Sequence, residues 1–136
     1  MTTSSLRWGR IVLGGFLGEL LLIVLVIPLR AIGASETAIT GVAVGGSFVA
    51  FVPVAWWLAQ RLARPIVQGA LMGAAAAVMY MLLSAVGQVF VPDAPPVPLI
   101  YYVAHVLKLA GGATGGWLAQ RGAAATGTPP AAVSAR

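Results

Sequence analysis

Cysteine is absent from the 136 residues, so no disulfide, thiolate metal site or thiol chemistry is open to this chain. Acidic residues are scarce, three Asp and Glu against eight Lys and Arg, and histidine occurs once. A lone His105 without an Asp, Glu or Cys cluster does not make a metal centre. Ser84 with His105 lacks an acidic partner at a suitable place, and no other nucleophile–base–orienter set can be assembled, which argues against an enzyme. The glycines lie inside apolar runs rather than in a phosphate-cradling loop. Nothing here implies a cofactor.

The scarcest commodity is charge. Only 8% of residues are charged and 60% are apolar, against roughly 25% and 45–50% in a soluble domain. Such a chain cannot clothe a soluble surface, and lipid is the solvent that suits it. The net charge of +5 does not point to nucleic acid. The basic residues stand singly or in pairs between apolar runs, with no basic helix face and no aromatic interleaving.

A spanning helix needs about 20 mainly apolar residues, and four runs qualify: 11–29, broken only by Glu19, then 39–58, 66–91, and 99–118, broken only by Lys108. Breakers separate them. Pro28 and Arg30 end the first run, Ser35-Glu36 reads as the start of the second helix, Pro65 fits the first turn of the third, and the proline-rich stretch 92–98 is not helical. The first run is longer than the apolar core of a cleaved leader and carries Glu19, so it is read as a span. The sequence thus predicts an all-α fold, an integral membrane four-helix bundle over 1–121, followed by a disordered cytoplasmic tail over 122–136 that has no hydrophobic period.

Arg7 and Arg10 precede the first span, Arg61 and Arg64 separate the second and third, and Arg121 follows the fourth. In a four-span chain these positions fall on one side, and positive loops stay cytoplasmic. Both termini are therefore expected inside, in a bacterial cytoplasmic (inner) membrane. Trp8, Trp57 and Trp117 beside those arginines fit an interfacial belt.

The two hairpins resemble each other. Ile11-Val12-Leu13-Gly14-Gly15-Phe16-Leu17-Gly18 parallels Ile66-Val67-Gln68-Gly69-Ala70-Leu71-Met72-Gly73, and Trp57-Leu58-Ala59-Gln60-Arg61 recurs as Trp117-Leu118-Ala119-Gln120-Arg121. This reads as an internal repeat of one helical hairpin, the two units related by an axis along the membrane normal. Each span also has glycines four apart: Gly14 and Gly18, Gly41 and Gly45, Gly69 and Gly73, and Gly111 with Gly115 or Gly112 with Gly116. Lipid gives helices no hydrophobic reason to associate, and small residues allow close backbone packing instead, within one chain or between copies.

Glu19 and Lys108 fall near mid-bilayer, roughly 12 and 15 Å from the arginine-bearing ends of their helices at about 1.5 Å per residue. A lone charge there costs about 2.5–3.5 kcal/mol on insertion scales. Pairing Glu19 with Lys108, on helices that can be neighbours in a closed bundle, removes most of that cost. The pair either fixes helix register or forms a protonatable, ion-coupled site. His105 and Tyr101 continue the Lys108 face outward, and Tyr80, Ser84 and Gln88 form a matching stripe on the third span. These residues either hydrogen-bond between helices or line an outward-facing polar cleft.

Two resemblances follow from these motifs. Gly69-Ala70-Leu71-Met72-Gly73 with Tyr80, then Leu107-Lys108-Leu109-Ala110-Gly111-Gly112-Ala113-Thr114-Gly115-Gly116, resembles a group of small uncharacterised four-span bacterial membrane proteins. That likeness implies a fold and no activity. Leu13-Gly14-Gly15-Phe16-Leu17-Gly18-Glu19 is similar to the first helix of the small multidrug-resistance transporters, which implies a proton-coupled exporter with Glu19 as the coupling carboxylate. The chain departs from that family in its alanine-rich third span, in Lys108, and in an arginine bias that fixes one orientation. The remaining alternative is an accessory subunit of a larger membrane complex, whose partners besides lipid would be that complex or a second copy of the chain.

Overall fold

A computed structural model describes residues 6–90 and 98–125. Four helices make it up: α1 (Trp8–Ala31), α2 (Glu36–Ala59), α3 (Pro65–Phe90) and α4 (Ile100–Ala125). There is no strand among the described residues. The fold is an all-α four-helix bundle. α1, α2 and α3 are long and apolar enough to cross a membrane. α4 matches them in length, but Lys108, His105, Gln120, Arg121 and its glycines dilute its apolar content. The expected tail starts later than the sequence suggested, because α4 continues through Ala125. The rest of the tail and the stretch 92–97 lie outside the described residues.

Local chemistry sets the helix ends. Ser35 Oγ accepts a hydrogen bond from the Ala38 N–H at 3.3 Å, satisfying one free donor of the first turn of α2. Gly33 takes a left-handed φ of 71° in the α1–α2 turn, where a side chain would be strained. Arg61 turns the chain out of α2 with φ 64°. Arg10 Nη1 donates to the Leu58 carbonyl at 3.2 Å, so a cation at the start of α1 satisfies a carbonyl in the last turn of α2. Pro28 lies within α1, which runs three residues further to Ala31.

Helix adjacency follows from where the small residues lie. A methyl group added at Gly69 would fall on the Gly112 carbonyl oxygen, and one at Gly112 on that of Gly69; at Gly73 it would meet the Lys108 carbonyl, and at Gly116 that of Pro65. α3 and α4 therefore touch backbone to backbone. The other glycine pair of α4, Gly111 and Gly115, lies on the Phe48 and Val52 carbonyls of α2. On α1 the glycines act differently, as sockets: Gly14 receives the Met72 side chain and Gly18 the Phe51 ring. Phe51 packs with Ala50 and Ala76, Met72 with Ala55 and Leu58, and Ala59 with Leu62 and Ala119.

α4 is thus held by α2 on one face and by α3 on the other, and α1 lies against α2 and α3. No Cα of α1 comes within 8 Å of a Cα of α4. This corrects the expectation that the first and last helices are neighbours: they occupy opposite corners, because both close-packing faces of α4 are already taken. α1 lies beside and parallel to α3, and α2 beside and parallel to α4. The equivalent helices of the two hairpins are therefore neighbours, α1 of α3 and α2 of α4.

Packing is concentrated at the end carrying Arg7, Arg10, Arg61, Arg64 and Arg121. α3 has no buried residue beyond Ala77, and α1 none beyond Leu22. At the far end Met81, Leu82, Leu83, Val86, Val89 and Phe90 are exposed. Gly41 and Gly45 face open space, contrary to the expectation that every glycine pair packs. An open surface groove of about 520 Å³ lies there, lined by Glu36, Thr37, Thr40, Gly41 and Val44 of α2 and by Ile100 of α4.

Gly69→Ala should lower unfolding stability in detergent micelles by about 1–3 kcal/mol, the usual range for overpacking. Gly41→Ala should leave it level or raise it by up to about 1 kcal/mol, the helix-propensity difference. Equal losses at both positions would contradict the packing described.

Candidate functional site

Within the bundle lie two buried titratable side chains, on α4. Lys108 emerges beside the α3–α4 backbone contact, where its carbonyl faces Gly73. Its Nζ donates to Glu19 Oε1 on α1. The lysine side chain is 3% exposed and the glutamate side chain 16%. The structure brings these two residues together, but by reach rather than by helix contact. Two long side chains extend from opposite corners across the bundle axis. The ammonium also lies 5.3 Å from the centroid of the Tyr80 ring, within cation–π range.

Outward from Lys108, three of the sequence-predicted polar residues join into one aromatic cluster. The Tyr80 ring on α3 lies 4.9 Å from the His105 ring and stacks on Tyr101 at 6.1 Å. Tyr102, which the sequence reading passed over, meets His105 edge-on at 6.4 Å. His105 is buried, and among the described residues its Nδ1 has no hydrogen-bond partner. Spacings of four and three put Tyr101, His105 and Lys108 on one face, and the close approach of α3 and α4 at Gly73 and Lys108 lies nearest to where Tyr80 meets all of them.

Ser84 and Gln88 do not join the cluster. Both belong to the last part of α3, which has no buried residue, Ser84 being half-buried and Gln88 exposed, and no hydrogen bond ties either to the cluster among the described residues. The continuous cleft wall expected from Tyr80 to Gln88 therefore stops at Tyr80.

Two buried polar residues were not anticipated. Gln68 is 2% exposed, and its Oε1 accepts from the Arg7 N–H at 3.4 Å, linking the start of α1 to that of α3. Ser47 is fully enclosed and donates to the Ala43 carbonyl at 2.7 Å. Gln68 was visible only as a polar residue before a glycine pair, and Ser47 as one serine in an apolar run. Neither pattern reveals burial. Arg121 covers the Trp117 ring at 4.0 Å, at the arginine-rich end. Among the described residues no group of three His, Cys, Asp or Glu side chains could hold a metal ion.

Chemically, the arrangement is a closed ion pair whose ammonium rests on an aromatic ring, with a neutral-capable imidazole one turn away. Removing one partner strands the other. Glu19→Gln should reduce unfolding stability in micelles by about 3–5 kcal/mol, and the double variant Glu19→Gln/Lys108→Met should recover most of the loss, as replaced buried pairs commonly do. Glu19→Asp, one methylene shorter, should retain most of the Glu19→Gln defect, because the pair spans a diagonal. Full rescue by Asp would contradict that geometry. Comparison with protein-family models, with curated proteins and with solved structures finds no match for this chain.

Proposed function

We propose that the chain is a four-span protein of a bacterial cytoplasmic membrane, with both termini inside, in which Glu19 and Lys108 form an intramembrane latch. Its work is that of a packing component, an accessory subunit that contacts a larger membrane partner. The observation that carries this reading is the sealed pair. Two charges that neutralise each other across the bundle allow α4 to cross the bilayer despite Lys108. They also leave neither charge free for a substrate.

The topology draws support from the arginines collected at one end and from Trp8, Trp57 and Trp117, all exposed at that end. The membrane setting draws support from the surface, where large apolar side chains of all four helices are exposed. The close glycine contacts of α3 and α4 are the kind that hold helices together in lipid. A partner-binding role is favoured by the far end, where α3 leaves the bundle and Gly41 and Gly45 stand uncovered.

A proton-coupled exporter is the second reading. It is favoured by the greater exposure of Glu19 than of Lys108, and by the resemblance of Leu13 to Glu19 to the small multidrug-resistance transporters. The two readings part in reconstituted vesicles. A pH-driven substrate gradient abolished by Glu19→Gln selects the exporter. One stoichiometric partner retained in mild detergent selects the subunit.

The topology is tested with single cysteines, since the chain has no native one to label. Ser35→Cys and Leu99→Cys should react with impermeant maleimide from the periplasmic side, and Ala63→Cys and Gln120→Cys only after the membrane is opened. Labelling of Leu99→Cys and Gln120→Cys from the same side would sink the fourth span.

A further inference from the structure

We propose that His105 is an acid sensor for the Glu19–Lys108 pair: a proton taken up on its ring places a second cation beside Lys108 and loosens the link between α1 and α4. The inference rests on the reading of that pair as a latch. It starts from burial. His105 is 8% exposed and its Nδ1 is enclosed with no hydrogen-bond partner among the described residues, so the site accommodates the neutral ring. One turn along α4 the Lys108 ammonium already occupies the Tyr80 ring, at 5.3 Å. The same Tyr80 ring packs on His105 at 4.9 Å. Lysine and histidine therefore share one aromatic neighbour and one side of one helix.

The titratable groups around His105 leave a new charge few options. α3 offers Tyr80, α4 itself offers Tyr101, Tyr102 and Lys108, and α1 offers Glu19 on the far side of the ammonium. The titratable residue of α2 is Glu36, at its first position, where its carboxylate is exposed and lies 3.8 Å from Arg30. Among the described residues the carboxylates of both helices that could meet it are engaged, Glu19 by Lys108 and Glu36 by Arg30. A charged imidazole must either remain uncompensated or compete with Lys108 for Glu19. Either outcome weakens the pair, since desolvated like charges repel and an unpaired buried charge is costly. Stability is present while the ring is neutral and is lost as the pH falls and the ring must charge. His105 lies about 7.5 Å from the start of α4 at about 1.5 Å per residue. That start of α4 is the end opposite the arginines, the shorter way in for a proton.

The test is thermal unfolding of the full chain in detergent micelles between about pH 7.5 and about pH 5.5, the range in which histidine titrates. The wild-type midpoint should fall by roughly 5 °C on acidification, and that of His105→Gln by no more than about 1 °C. Equal falls in both, or no fall in the wild type, overturn the inference. Glu19→Gln at neutral pH keeps the two ideas apart: a wild-type midpoint there means the pair is no latch, whatever His105 does. Should His105→Gln fail to fold, the single histidine permits a second measurement on the wild type. Ring ¹⁵N resonances followed through the titration should move together with the Lys108 Nζ resonance, and a Lys108 signal that stays fixed while the ring titrates also overturns the proposal.

Discussion

Lys108 gives its charge to Glu19. Its helix is pressed on two sides against the backbones of α2 and α3, and among the described residues its ammonium is neutralised by that carboxylate at the opposite corner. The other described acid, Glu36, is exposed and lies 3.8 Å from Arg30. The separation of α1 and α4 requires both side chains to be long, and glycines on α1 and α4 let the helices between them come close. The ion pair and the small-residue core are therefore one design problem: bulkier neighbours would push the charges apart, and a missing charge would strand its partner in an apolar interior.

The core is correspondingly sparse. Its large buried side chains are few, chiefly Phe51, Ile11 and Met72, and two of these fill holes left by glycines on α1. Cohesion comes from backbone proximity at the arginine-rich end, where dispersion between closely approaching main chains stands in for a hydrophobic drive. Toward the other end the helices diverge, and the residues there make few contacts within the chain. That half has the low local packing associated with local opening. The ion pair and the Tyr80–His105 cluster lie between the two regimes, so a change in the charge state of this cluster is felt first by the loosely held half.

The helices were legible because apolar runs, Ser35 and Pro65 carry local signals that no tertiary contact needs to supply. The complementary charges of Glu19 and Lys108 were legible too, because two opposite charges at equal depth in apolar segments have little else to do. Adjacency was not. Glycines four apart appear on every helix, and periodicity does not reveal which of them meet a backbone, which receive a side chain and which face open space. The pairs in α4 take the first role, Gly14 and Gly18 the second, Gly41 and Gly45 the third. Once both faces of α4 were engaged, α1 had to take the opposite corner, and the assumption of neighbouring first and last helices failed. Ser84 and Gln88 share a face with Tyr80, yet α3 leaves the bundle before reaching them. The alanines after Gly122 extend α4 because their helix propensity outweighs the absence of an apolar period.

The most direct measurement is the distance between Lys108 Nζ and the Glu19 carboxyl carbon in lipid bilayers, by solid-state NMR on selectively ¹⁵N- and ¹³C-labelled protein. A direct dipolar contact is expected, with nitrogen and carboxylate oxygen within about 4 Å, that disappears in Glu19→Gln. A wild-type sample in which the two nuclei show no coupling, each exchanging with water, would contradict it.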